Sequence, residues 1–189
     1  MSRIPSQTLV VVPYDQMVRN LFKPMPTKQL CAVHAAIGLA GEVAELIVTN
    51  SIEHVVDEMG DVEFYVEAAY QVIGGRIQPG EELYVEANEP ASNQVLGTVT
   101  IALSTSAGRL LDLTKKAWVY DQDLNERAIR YELMRIEVML GCLRDLVGIR
   151  RPDVLGANQA KLGKRYPEGV YTNRDAQLSV DKSGEHDVD

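Results

Sequence analysis

At 189 residues the chain is long enough to bury a core without disulfides, and it holds one domain or at most two. Apolar residues make up 46% and charged residues 24%, which excludes a disordered or collagen-like chain. A net charge of −8 excludes non-specific nucleic-acid binding, which needs Lys and Arg against phosphate, and suits a protein that collects divalent cations.

The first residues, Met1-Ser2-Arg3-Ile4-Pro5, lack the basic-then-apolar form of a signal peptide, so a cytoplasmic location is expected. Residues 8–12 are the one stretch that reads as a strand. The first helix starts at Thr27, an N-cap after Pro26, and ends near Asn50, with the stripe Leu30, Val33, Ile37, Ala40, Ala44, Ile47. Its segment 30–48 has the length of a membrane span, but it carries Glu42 and Glu45 and no flanking Lys or Arg, so no membrane is expected. A second helix follows Ser51 and ends at Gly74-Gly75, with the stripe Val55, Met59, Val62, Val66, Ala69, Ile73. Residues 76–91 are a polar connection marked by Pro79-Gly80.

The third helix covers about 92–118, with the stripe Val95, Val99, Ala102, Leu110, Leu113, Ala117. The fourth covers about 125–147 and stops at Gly148, with the stripe Ile129, Leu133, Ile136, Leu140, Leu143, Val147. A short fifth opens at Pro152-Asp153 and ends near Arg165. The expectation is an all-α four-helix bundle of two repeated hairpins plus a short C-terminal helix: one domain over 1–175, then a flexible tail over 176–189. Cys31 and Cys142 sit in apolar helical patterns. They read as buried thiols of a reducing compartment, with no neighbours that would make zinc a candidate.

The two hairpins, 27–75 and 92–148, align. Ala40-Gly41-Glu42-Val43-Ala44-Glu45-Leu46 matches Ala107-Gly108-Arg109-Leu110-Leu111-Asp112-Leu113, and Glu58-Met59-Gly60-Asp61-Val62 matches Glu132-Leu133-Met134-Arg135-Ile136. Their charges differ. Residues 1–108 hold 5 Lys/Arg against 13 Asp/Glu, whereas residues 109–151 hold 9 against 7. A metal–phosphate ligand wants such a pairing, with carboxylates for the cation and Lys or Arg for the anion.

Glu42 and Glu45 are three apart on one helix, and Glu58 and Asp61 three apart on the next, so each pair shares a face. In an antiparallel hairpin the pairs converge at one level, and four hard oxygen ligands together suit Mg²⁺, with Mn²⁺ as the alternative. A solvated acidic face is the plain alternative. Against it, no Lys or Arg occurs between Leu30 and Ile52, and Cys31, His34, Ala35, Gly38 and Gly41 surround the first pair, leaving room for close approach. Gly60 adds the same feature on the second helix. A di-iron site would need E-x-x-H pairs, which the three histidines do not form.

Gly41-Glu42-Val43-Ala44-Glu45 followed by Asp57-Glu58-Met59-Gly60-Asp61-Val62-Glu63-Phe64-Tyr65 resembles the E-x-x-E…E-x-x-D signature of the MazG-like all-α NTP pyrophosphohydrolases. Asn158-Gln159-Ala160-Lys161-Leu162-Gly163-Lys164-Arg165-Tyr166-Pro167-Glu168-Gly169 resembles the N-x-x-K-L-x-x-R-Y-P-x-G segment closing many members, phage ones especially. The resemblance covers about 27–175. It implies a MazG/dimeric-dUTPase-like bundle and Mg²⁺-dependent hydrolysis of a (d)NTP between the α and β phosphates to the monophosphate and pyrophosphate. Glu42, Glu45, Glu58 and Asp61 would hold metal, and Glu42 or Glu45 would take the proton of the attacking water. It also implies a homodimer or homotetramer, in a host cytoplasm if phage-encoded.

The phage-like ending makes dGTP the first substrate to consider, as for MazZ-type members; a dUTPase-like activity and a non-enzymatic partner-binding protein with a vestigial site are the alternatives. Arg109 and Arg135 stand where the second hairpin would need carboxylates. That degenerate copy should bind no metal, and its arginines should brace the acidic hairpin or reach a phosphate. Lys161 and Arg165 are i,i+4 on one face, a phosphate clamp with Asn158 one turn earlier and Tyr166 beside it; alternatively Asn158 and Arg165 only brace their helix. Lys115 ends the third helix, where the dipole favours cations anyway. Trp118 and Tyr120 are stacking candidates for a base, although a lone Trp is more often core. His34 is either a polar contact to substrate or a packed core residue.

Overall fold

The computed structural model describes residues 12–49, 51–76 and 95–179, and these form seven α-helices with no strand among them. Four are long: α2 (Lys28–Val48), α3 (Ile52–Val72), α4 (Val95–Val119) and α5 (Glu126–Val147). The caps expected from the sequence are formed. Thr27 accepts from the Leu30 N–H at 3.1 Å, Ser51 from His54 at 3.2 Å and Asn125 from Ala128 at 3.1 Å. Gly148 closes α5 in the left-handed conformation at φ 70°, which a side chain would strain.

α2 packs between α3 and α4, α4 also packs on α5, and α5 touches α3. Lys28 at the start of α2 pairs with Glu126 at the start of α5, and Arg130 donates to the Gly75 carbonyl after α3 at 3.0 Å. The hairpins therefore run antiparallel and share one core, in which Leu39, Val62, Val66, Leu103, Leu110, Leu133, Ile136 and Leu140 are fully buried.

The stripes of α3 and α5 are buried as expected, apart from the half-buried Val55 and Val147 at their ends. That of α2 is not: Ala32, Ala36, Leu39, Val43 and Leu46 are in the core, while Ile37 is 57% exposed. α2 is apolar around most of its circumference and long enough to pass for a membrane span, so periodicity fits more than one stripe. Small side chains at 32, 35 and 36 admit two neighbouring helices, and that decides the buried face.

α6 (Arg151–Arg165) lies on α3. Two helices were not expected. α1 (Tyr14–Leu21) packs on α3 and α6 through Val18 and Leu21, and α7 (Asn173–Leu178) is capped by Thr172 and packs on α6. Residues 176–178, expected in the flexible tail, belong to this helix, which Thr172 opens by accepting from the Asp175 N–H. The strand expected at 8–12, the connection around Pro79-Gly80 and residues 180–189 lie outside the described residues, apart from Val12 and Arg76.

Where α3, α5 and α6 meet, Glu63 is 1% exposed and takes two bonds from Arg151, at 2.8 and 2.9 Å, and one from Arg144 at 3.0 Å. Glu67 and Glu137 share Arg76, and Tyr70 donates to Glu137 at 2.9 Å. The Arg151 fork fixes the seat of α6 on α3, while Arg76 and Arg144 tie α3 to α5. Arg109, expected to reach the acidic hairpin or a phosphate, pairs instead with Glu132 at 3.7 Å inside its own hairpin; Arg135 lies over Tyr131 on its own helix.

Candidate metal centre

The E-x-x-E of α2 and the E-x-x-D of α3 face each other across the first hairpin. One oxygen each of Glu42, Glu58 and Asp61 lie within 4.8 Å of one another. Glu45, expected as a fourth ligand, is exposed and stands outside this trio, because three residues along a helix also turn it about 60° towards solvent. Its charge still bears on Glu42 and Glu58.

The trio is electrostatically loaded. Burial, followed by the charges of Asp61, Glu45 and Glu58, pushes the Glu42 carboxyl up to about 7. Burial and then Asp61 raise Glu58 as well. Asp61 is raised too, because burial outweighs the ammonium beside it. One oxygen of Glu58, Oε2, is buried without a hydrogen-bond partner. Hard oxygens in a close trio, on residues one of which also carries an orphaned oxygen, fit a divalent cation.

α6 supplies the partners of Asp61. Asn158, 1% exposed, donates to Asp61 Oδ1 at 2.8 Å and accepts from the Tyr14 hydroxyl at 2.9 Å. Lys161 donates to Asp61 Oδ2 at 2.5 Å and to Asp57 Oδ2 at 2.8 Å. Gly60 makes this approach possible: a Cβ there would stand 2.8 Å from the Asn158 Cβ. Gly38 clears space in the same way for the ring of Tyr65, whereas Gly41 has nothing to clear.

Glu42 and Asp61 also form the wall of a pocket of about 270 Å³, completed by Phe22, Lys23, His34, Phe64, Tyr65, Arg165, Tyr166 and Tyr171 among others. His34 stacks on Phe22 with centroids 4.5 Å apart, and burial lowers its pKa, so the imidazole is neutral at pH 7. Lys23 lies over the Tyr171 ring and donates to Asn173 at 3.1 Å. The pocket thus has carboxylates at one wall, a guanidinium beside them and aromatic faces around the rest.

Of the residues expected to meet a ligand, Arg165, Tyr166 and His34 line the pocket, while Asn158 and Lys161 are tied to Asp61. Lys115 does not belong to the site: it is exposed and pairs with Asp112 at 3.5 Å on its own helix. Trp118 and Tyr120 are neither stacking walls nor core, being at least half exposed and away from the pocket lining. Sequence reasoning missed Tyr14, Phe22, Lys23 and Tyr171, which come from segments outside the two hairpins. The spacing of Tyr14, Met17, Val18 and Leu21 was the available signal for α1. Compared with protein-family models, with curated proteins and with solved structures, the chain matches none.

Proposed function

We propose that the chain is a divalent-cation-dependent nucleoside triphosphate pyrophosphohydrolase of the MazG-like kind. It would cleave between the α and β phosphates to give the monophosphate and pyrophosphate, with dGTP the first substrate to test. The observation that carries this reading is the trio Glu42, Glu58 and Asp61, two of whose members, Glu42 and Asp61, wall a pocket that also holds Arg165 and a set of aromatic rings. Two helical hairpins on one core agree with the MazG-like bundle that the sequence motifs imply.

Glu42, Glu58 and Asp61 would hold Mg²⁺ or Mn²⁺, which when bound supplies Lewis acidity and charge screening. Glu42 and Glu45 are the two candidates to take the proton of the attacking water. Arg165 faces the phosphates. The Phe22–His34 stack, with Tyr65 and Tyr171, offers apolar faces on which a base lies.

The test is pyrophosphate release from a panel of dNTPs and NTPs with Mg²⁺. The expected result is dGMP and pyrophosphate from dGTP. Glu42→Gln, Glu58→Gln and Asp61→Asn should each lower turnover by about 10² or more with helicity intact. No release from any nucleotide, together with no Mg²⁺-dependent rise in Tm, would leave the partner-binding alternative standing.

A further inference from the structure

The protein treats its buried acids in two ways. Glu63 is clamped by three planar arginine contacts from α5 and α6, an arrangement that satisfies both oxygens and holds still. Asp61, two residues earlier on the same helix, is bonded by a lysine instead, and the charge of Arg165 also bears on it. An ammonium is a point charge on a flexible four-carbon stem, which releases and re-forms contacts more readily than a bidentate guanidinium.

The contacts around Lys161 make an exchange possible without disturbing the site. Asp61 Oδ1 is fixed by Asn158, itself fixed by Tyr14, so the position of the carboxylate does not depend on the lysine. Only Oδ2 is shared with Lys161. The ammonium has a second partner in Asp57 at 2.8 Å, so leaving Asp61 does not strand a charge in a half-buried place.

Resting on the metal reading above, we propose that Lys161 is a displaceable counter-ion: it occupies Asp61 when no cation is bound, yields that oxygen to an entering divalent ion, and retreats to Asp57. Lys161 therefore competes with the metal for that oxygen.

A lysine that merely braces Asp61 and one that competes for it predict opposite signs. Mn²⁺ alone is titrated calorimetrically into the wild-type chain, Lys161→Met and Lys161→Arg without nucleotide, with folding checked by circular dichroism. Removing the competing charge should tighten Mn²⁺ binding about tenfold or more, while Lys161→Arg, which keeps the charge, should stay within about threefold of wild type. Should Lys161→Met not fold, Lys161→Gln, which retains a donor for Asp61, carries the same expectation. Equal or weaker binding by the neutral variant while the wild-type chain binds Mn²⁺ overturns this inference and leaves the metal reading intact. Absence of Mn²⁺ binding by wild type and neutral variant alike overturns both.

Discussion

Glu42→Gln tests how much repulsion the carboxylate trio stores in the cation-free fold. At 1.36 kcal/mol for each pH unit, the rise of Glu42 from 4.5 to about 7 corresponds to roughly 3 kcal/mol at most. Glu42 is only partly buried, so solvent screening removes about half, leaving about 1.5 kcal/mol. The sign follows from which state holds the proton. Between 4.5 and 7 the folded chain binds it and the unfolded chain does not, so stability falls as pH rises through this window. Below 4.5 both states are protonated and the penalty vanishes; above 7 both are ionised and it is complete. Glu42→Gln should therefore be more stable than wild type at pH 8 by about 1.5 kcal/mol, or about 3–6 °C in Tm for a chain of this size, and about equal to it at pH 4.5.

Urea melts in EDTA at the two pH values measure this directly. Saturating Mg²⁺ should then stabilise wild type and reverse the order at pH 8. A Gln variant less stable than wild type at pH 8, or a gain of the same size at both pH values, would refute the electrostatic account.

Glu63→Gln strands Arg144 and Arg151 and should cost about 3 kcal/mol in urea melts, at the low end for a buried pair because Arg151 is 40% exposed and can turn to water. Gly38→Ala places a methyl group 2.2 Å from the Tyr65 ring and should destabilise by about 1–3 kcal/mol; most of that loss should disappear in a Tyr65→Ala background, as a double-mutant cycle will show. Ile37 and Val48 on α2 and Ile101 on α4 are 57%, 79% and 69% exposed, so light scattering at micromolar concentration should give a dimer or tetramer that Ile101→Glu weakens; a monomeric wild type contradicts this.

The carboxylate site was legible because its information is local. Glu42, Glu58 and Asp61 converge through helix spacing and one short hairpin, and both can be read from residue numbers. Asn158 and Lys161 were legible as site residues but not in their role, since a spacing of three or four says which face they share and not that Asp61 waits opposite. The pocket walls were not legible. Phe22 and Lys23 follow α1, and Tyr171 follows α6; their meeting depends on α1 lying across α3 and on the Tyr171 N–H bonding the Asn20 carbonyl at 3.1 Å. No periodicity encodes such a contact between segments 150 residues apart. The buried stripe of α2 failed for a related reason, because a helix apolar on most sides leaves the choice of face to its neighbours.

The second hairpin shows what periodicity can and cannot transmit. Aligned by its apolar positions, it places Arg109 opposite Glu42, Glu132 opposite Glu58 and Arg135 opposite Asp61. Glu132 keeps the burial of a site residue and even one orphaned oxygen, Oε2, as Glu58 does. Its other oxygen, however, lies 3.7 Å from Arg109, so the pair is balanced within the chain. In the first hairpin the position of Arg109 holds a third carboxylate, Glu42, and opposite charge reaches the trio from Lys161 and Arg165 on α6. The apolar spacing of the two hairpins is alike in sequence, and in both the two helices pack on each other. The sign of one charge per helix then separates the copy that pairs within itself, Arg109 with Glu132, from the copy whose carboxylates crowd together.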